Sequence, residues 1–503
     1  MAGHGALVAA AAVLTMRILE ADFLLAEAGA KIIADGAVVV SEGTIRALGS
    51  TCDIVQRFPD ARRQRLNNAL LLPGFVNAHQ HGRGLSQIQL GYPDDALEPW
   101  IARRRGRGWP DSYALTRLAA EEMLANGVTS TLHANYSYAT GDYEAELRGV
   151  LRAYQDSGLR ATVCIGYADS GGVIYPSKDE AEFCAALSPE AQMLLAAARP
   201  AYLPLDDTLR LMARLADEFS GHPTITLAYG PAGPQWVSDE AWRRLAGDAA
   251  KRGIGIHFHL LESPAQERCA RTLYPEGVLR RLESLGVFET RASAAHFIQA
   301  ARRDVEDAVR LGLVIVANPG SNMRLHNGPP PIASWRRAGL SVAVGTDNCA
   351  LDDNEDYLSE LRLAGLLGRF DEGGRPYDGV SSALKMGTSA GALATFNPQV
   401  GCLDVGMRAD LIALDLSRIS GSYLDADADI LEAVLARGKG ADVLLTLVAG
   451  VERYSRGANE RRRDAANMAA ATVMSARSIG DTARHASEEF AEALRSHYRG
   501  ASA

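Results

Sequence analysis

Eight short apolar runs, each ending in polar or histidine-bearing residues and each followed by a helical stretch, predict a (β/α)8 barrel over residues 73–398. Two zones of short alternating β pattern flank it, at 14–72 and 399–457, and a helical tail follows at 458–503. The predicted fold is therefore α/β: a TIM-like barrel, a small β-sandwich assembled from both ends of the chain, and a C-terminal helical tail.

The N-terminal zone reads RILEADFLL, then KIIADGAVVV, then GTIRALG, with Gly and Asp at the breaks. Its counterpart reads VGCLDVGMRADLIALDL and ADVLLTLVAGVERY. Chain termini commonly lie close together, so the two zones are expected to pair. The barrel runs are LLLPGFVNAHQH, GVTSTLHAN, LRATVCIGYA, TITLAYGP, GIGIHFHLLE, ASAAHFI, LGLVIVANP and LSVAVGTDN. Between them lie SYALTRLAAEEMLANG, SDEAWRRLAGDAAKRG and ARRDVEDAVRLG, with helix starts and stops marked by Ser, Asp and Gly. A doubly wound open sheet would need a Gly-x-Gly-x-x-Gly turn after its first strand, and none is present. The stretch 170–204 is a long insertion after the third strand, where a lid or specificity loop would sit. The tail is expected to pack on its own domain or on a second subunit.

Composition narrows the function class. The chain has 503 residues, 47% hydrophobic and 22% charged, with a net charge of −9. That balance speaks against nucleic acid or an acidic membrane as partner and leaves a small-molecule substrate. The arginine runs 103–107 and 461–463 read as solvated faces. Six scattered cysteines without a Cys-x-x-Cys pair suggest a reducing cytoplasm and no disulfide framework. The apolar stretch 7–14 is too short to span a bilayer and reads as a ragged extension, with Met16 a candidate start. A homo-oligomer, a dimer or larger, is expected.

The chemistry lies in the histidines. Six of the 11 fall at predicted strand ends: His79, His81, His133, His257, His259 and His296. Asp347 ends the eighth run. Barrel enzymes carry their active residues at these ends. Residues i and i+2 of a strand share a face, so His79 and His81 can hold one ion between them. Imidazoles with a carboxylate suit Zn²⁺ or Fe²⁺, with a position left for water. His257 shares the face of His259 one layer deeper and reads as a core histidine.

These residues resemble the amidohydrolase superfamily, nearest its cytosine deaminase and triazine (atrazine-type) chlorohydrolase branch. The resemblance rests on LLPGFVNAHQHGRG, the HLLE of His259 to Glu262, ASAAH ending in His296, ANPGSNMRL from Ala317 and VGTDN ending in Asn348. GCLDVGMRADLIALD extends it into the flanking zone. The resemblance implies one divalent metal, Zn²⁺ or alternatively Fe²⁺, held by His79, His81, His259 and Asp347. Glu262 would be the proton shuttle, and His296 would orient or polarise the attacking water, with an approach to the metal itself as the alternative. Asp347 can also accept a proton from that water, which a metal brings towards a neutral pKa.

Departures from the family pattern shape the expectation further. TITLAYGPAGPQ contains no lysine of the kind carbamylated in binuclear relatives, so a mononuclear site is expected. It also lacks the histidine shown there by relatives acting on adenosine-like nucleosides, which speaks against nucleoside deamination. His133, and Asn318 where relatives often have histidine, suggest a different pocket, with Asn348 as a substrate contact and His133 either a substrate contact or a buried structural histidine. The expected enzyme is an aminohydrolase attacking a C–N bond of a small N-heterocycle or amidine-like carbon. A hydrolytic dechlorinase and a cyclic amide or urea hydrolase are the alternatives on the same site. A catalytically silent metal-binding scaffold would need neither Glu262 nor His296.

Overall fold

The computed structural model describes residues 16–108, 110–197, 201–348, 353–369, 379–476 and 481–500. The apolar stretch 7–14 and Cys349 lie outside them.

The two flanking zones meet in one seven-stranded sheet. Its strands are β1 (Arg17–Leu24), β2 (Ile33–Ser41), β3 (Thr44–Ser50) and β4 (Arg62–Pro73) from the first zone. The second zone adds β13 (Leu411–Asp415), β14 (Val443–Val448) and β15 (Val451–Ser455), in the order β15-β14-β13-β4-β1-β2-β3. The seam between the zones is the antiparallel β4–β13 ladder, with Leu411 opposite Pro73 and Leu414 opposite Leu70. Period-two alternation sorts these strands' side chains. Leu71, Leu411 and Ala413 join an apolar cluster of the sheet itself, whereas Leu70, Leu72, Ile412 and Leu414 join the large core of the barrel.

The barrel strands are β5 (Phe75–Gln80), β6 (Val128–Ala134), β7 (Arg160–Tyr167), β8 (Ile225–Pro231), β9 (Gly255–Leu260), β10 (Ala292–His296), β11 (Val314–Ala317) and β12 (Ser341–Val344). They form one eight-stranded sheet in sequence order with parallel pairing throughout. A parallel bridge between Gln80 and Asp347 joins its two ends and closes it. The three helical stretches named from sequence are present as Ser112–Ala125, Asp239–Arg252 and Arg302–Arg310. Ser238 caps the second of these by accepting from Ala241 N, and Gly253 ends it in a left-handed conformation.

Only Gly74 separates β4 of the flanking sheet from β5 of the barrel. A Cβ there would lie 2.1 Å from Thr129 Oγ1, so no side chain fits. The sheet is held to the barrel's lower end by a buried ion pair. Arg160, which opens β7, donates from Nε and Nη2 to the two carboxylate oxygens of Asp410 at 2.7 and 2.9 Å. Asp410 also accepts from Ala449 N at 2.7 Å.

The helical tail and the 170–204 insertion share one apolar cluster over the barrel mouth. Ala486, Phe490, Ala491 and Leu494 of the helix Asp481–Gly500 pack there against Ile174, Leu187, Ala191 and Leu195. The preceding helix, Glu460–Ala476, sets Ala465 and Ala469 against Leu115 and Leu118. Among the described residues no helix is long and apolar enough to cross a membrane. Five cysteines, Cys52, Cys164, Cys184, Cys269 and Cys402, are free thiols.

Removing one partner of a buried pair strands the other charge, at a cost of about 3–5 kcal/mol. Asp410→Ala is therefore expected to lower stability by that amount in denaturant unfolding. A loss below about 1 kcal/mol, the range of ordinary surface substitutions, would show that Arg160 does not depend on it.

Candidate active site

His79 lies in β5 and His81 just past its end, so both rings leave the same face. Their Nε2 atoms stand 3.4 and 3.0 Å from Asp347 Oδ1. His259, in β9, brings its Nε2 to 3.4 Å from that of His81. His79 Nε2 is buried and has no hydrogen-bond partner.

The other ring nitrogens assign the tautomers. His81 Nδ1 lies 2.6 Å from Ala134 O, and His259 Nδ1 lies 2.9 Å from Ala232 O. A carbonyl only accepts, so each Nδ1 carries the proton and each Nε2 is a bare lone pair. His79 reaches the same state through a relay. Ser293 Oγ donates to Ala394 O at 2.9 Å and so accepts from His257 Nδ1 at 2.8 Å. His257 Nε2 then accepts from His79 Nδ1 at 2.8 Å, leaving His79 Nε2 bare. His79 and His81 with the Asp347 carboxylate form one group of ligand atoms within 4.8 Å of one another, and His79 with His259 and His296 forms a second that shares His79. The donor set of three bare imidazole nitrogens and a carboxylate oxygen fits a divalent ion of the zinc type.

His296, at the end of β10, is protonated the other way round. Its Nδ1 accepts from Asn322 Nδ2 at 2.9 Å and Asn318 Nδ2 at 3.3 Å. The Asn318 amide also donates to Val316 O, which orients it. The proton of His296 therefore sits on Nε2, 3.6 Å from Glu262 Oε2. Its ring nitrogen and the carboxylate oxygens of Glu262 and Asp347 lie within 4.8 Å of one another.

The two carboxyl groups face opposite fates. Burial pushes Glu262 well above the usual range, helped by the charges of Asp347 and Glu98 and opposed by bonds from Gln266 and Asn327. Burial works against ionisation of Asp347 as well, but the close approach of His79 and His81 outweighs it and holds that carboxyl well below its ordinary value. Ser321 Oγ donates to Asp347 Oδ2 at 2.6 Å, and Asn348 Nδ2 donates to Oδ1 at 2.8 Å. Burial lowers the pKa of His259 to about 4, chiefly by desolvating the charged form.

The backbone is bent to bring these groups together. His296 has φ 77° and Asp347 φ 53°, left-handed values costly for side chains of their size. Just before Asp347, a Cβ on Gly345 would fall 2.7 Å from His79 O, so only glycine allows β12 this close to β5.

His81, His259, Glu262, His296, Asp347 and Asn348 open onto one cavity of about 480 Å³. His133 does not reach its wall. It is buried beneath, with Nδ1 2.9 Å from the Tyr154 hydroxyl and burial lowering its pKa to about 3. Of the first arginine run, Arg103, Arg104 and Arg105 do not form a solvated face. Arg103 is buried between Asp95 and Glu488, and Arg104 and Arg105 line the cavity. At the second run, Arg461 is bonded to Glu121.

Against known proteins, the amidohydrolase family model matches residues 70–453. The chain belongs to the amidohydrolase family. Among curated relatives, a 5'-deoxyadenosine deaminase of Methanosarcina barkeri is 28% identical over 426 residues, 83% of this chain and 87% of that protein. A 5-methylthioadenosine/S-adenosylhomocysteine deaminase of Pelotomaculum thermopropionicum is 29% identical over 83% of this chain and 88% of that one. Among solved structures, an adenosine deaminase from Xanthomonas campestris with bound zinc superposes with a TM-score of 0.74 at 23% identity, over 91% of this chain and 98% of that one. The zinc complex of atrazine chlorohydrolase from Arthrobacter aurescens gives 0.75 at 21%, over 91% and 100%. This amidohydrolase is thus a hydrolase of carbon–nitrogen bonds other than peptide bonds, with deaminases as its sequence relatives.

Several contributors to the amidohydrolase site escape a reading by strand ends. Ser321 and Asn322 lie on the short helix Pro319–Arg324 after β11, and Asn327 beyond it reaches Glu262 Oε1 at 3.1 Å. Their trace in sequence is the motif ANPGSNMRL, in which the Ser321-Asn322 pair follows the strand end by three residues. Ser293 and His257 act through a relay that no spacing rule announces.

The tautomers separate two kinds of histidine experimentally. His259→Ala is expected to empty the metal site, whereas His296→Asn keeps wild-type metal content by elemental analysis while losing activity. Equal metal loss in both variants would show His296 to be a ligand rather than a donor.

Proposed function

We propose a mononuclear aminohydrolase that removes an exocyclic amino group from a small N-heterocycle or an amidine-like carbon. One observation carries the reading: three bare imidazole nitrogens and Asp347 stand close together, with the Nε2–H of His296 and the Glu262 carboxyl beside them in the same cavity. His79, His81, His259 and Asp347 would hold one Zn²⁺ or Fe²⁺, since no lysine occurs in β8 to bridge a second ion. When bound, the ion lowers the pKa of water so that a nucleophile is available near neutrality.

The chain's own groups do the rest. Asp347 stays ionised and takes a proton as water adds to the ring carbon. His296 donates its Nε2–H to the ring nitrogen or oxygen on which charge develops. Glu262 accepts from Asn327 on Oε1 at 3.1 Å and from Gln266 on Oε2 at 3.5 Å, and Oε2, 3.6 Å from His296 Nε2, is the atom placed to carry the proton to the departing nitrogen. Water and the amine enter, and the hydroxylated or oxo ring and ammonia leave. The deaminase relatives act, by name, on adenine nucleosides. Here the β8 end supplies Pro231, Ala232 and Gly233 in place of a histidine, so the reading stops at the aminated N-heterocycle. Free thiols support a reducing, cytoplasmic setting.

Release of ammonia, amine or chloride from a panel of heterocyclic amines, triazines, ureas and cyclic amides tests the class. Ammonia or an amine is expected. A metal-loaded protein inert on the whole panel would leave only the silent scaffold. A chelator should abolish turnover, and one equivalent of zinc per chain should restore it. Glu262→Gln keeps size and polarity but cannot carry the proton, so kcat should fall about 10²–10⁴-fold with KM and metal content little changed. Near-wild-type turnover of an amine-releasing substrate would sink the shuttle assignment.

A further inference from the structure

The family match ends at residue 453, yet the cavity that holds the site is walled in part by the helix Asp481–Gly500. Phe490 and Leu494 of that helix line the same 480 Å³ space as His259, Glu262 and Asp347. Both are buried, with 1% and 2% of their surface exposed, so they are fixed parts of the wall.

The helix is braced on several sides. Arg103 Nε donates to Glu488 at 2.8 Å, and Arg495 pairs with Asp95. Glu489 accepts from the Ser188 amide at 2.7 Å, and the Tyr498 hydroxyl receives the Tyr175 amide at 3.1 Å. These bonds tie it to the Leu97–Arg104 helix and to the start and middle of the 170–204 insertion. Trp100, Tyr175 and Trp236 face the same space. Arg104 lies 5.0 Å over the Trp100 ring, and Arg105 lies 5.8 Å over that of Phe490. The cavity thus offers aromatic and aliphatic surface alongside the charged groups of Arg104, Arg105 and Asp169.

We infer that the last helix is a specificity wall of the active site, and that Phe490 and Leu494 set the size of an apolar substituent carried by the substrate away from its reacting carbon. This deepens the aminohydrolase reading and rests on it. The substrate class is an aminated N-heterocycle bearing an alkyl or aryl group, because such a group gains by leaving water for this cavity.

The test uses the full-length, metal-loaded enzyme and a graded series of amino-heterocycles whose distal substituent grows from methyl through isopropyl to benzyl. Phe490→Ala is expected to raise the benzyl-to-methyl ratio of kcat/KM about tenfold or more, the scale set by one or two methylenes in an apolar pocket. Phe490→Trp should lower the ratio, and Ser496→Ala, on the exposed side of the same helix, should leave it as in the wild type. Should Phe490→Ala not fold, Phe490→Trp and Leu494→Ala carry the comparison. Affinity for the same series, followed by quenching of Trp100 and Trp236, gives a readout independent of turnover. A wild type that binds the series in a size-dependent way but releases no ammonia would overturn the aminohydrolase reading alone. Wall variants that shift every member by the same factor, in turnover and in affinity, would overturn this one.

Discussion

Everything at this site depends on the closure of the barrel between its first and last strands. Asp347 N donates to His79 O at 2.9 Å, and the Gln80–Asp347 bridge joins β12 to β5. Just below, Asn77 and Thr346 exchange two bonds: Asn77 Nδ2 donates to Thr346 Oγ1 at 2.8 Å, and Thr346 N to Asn77 Oδ1 at 3.1 Å. His79 and Asp347, the proposed ligands some 270 positions apart in sequence, are set face to face by this seam. Gly345 is where the two strands approach most closely, and a side chain there would pry apart the seam and the ligands together. Folding and assembly of the site are therefore one event.

Electrostatics then has to be settled inside a dry cluster. Imidazole rings cannot all be charged when buried together, and burial lowers the pKa values of His81, His257, His259 and His296 alike. Neutral rings still have to place their protons. The protein does so with groups that can only accept, Ala134 O, Ala232 O and the Ser293 hydroxyl already committed to Ala394 O. For His296 it turns the amide nitrogens of Asn318 and Asn322 to Nδ1, the former oriented by its bond to Val316 O. One residue type thus provides three lone pairs and one N–H donor, and the difference is written entirely in the surrounding partners.

That division explains how much could be read from sequence. The period of two in His79-Gln-His81, the runs that end in His259 and His296, and Gly-Thr-Asp347 are local patterns, so the barrel and the converging histidines were legible. His257 was correctly placed in the core, but its role as a relay needs Ser293 and His79, brought together only by strand pairing. His133 shows the limit of a strand-end rule. It sits near the end of β6 and points beneath the cavity towards Tyr154, because neither the depth of the bottom of a pocket nor the rings beneath it is encoded in spacing. The arginines at 103–105 misled for a related reason. A run of like charge looks solvated until Asp95 and Glu488 arrive from elsewhere to bury its first member.

The outer wall carries the same lesson to function. The barrel and its ligands belong to the segment that matches the family, and such a frame can serve many substrates. What faces the distal part of a substrate here comes from the 170–204 insertion and the last helix, held by bonds such as Glu489 to Ser188 and Tyr498 to Tyr175. These contacts join segments about 300 residues apart, so the tail's position could not be read from its own helical pattern. Loops and appended helices can change without touching the seam that makes the metal site. Reaction class and substrate choice are therefore carried by separable parts of the chain: the first by β5, β9, β10 and β12, the second by side chains that reach the same cavity from outside the barrel.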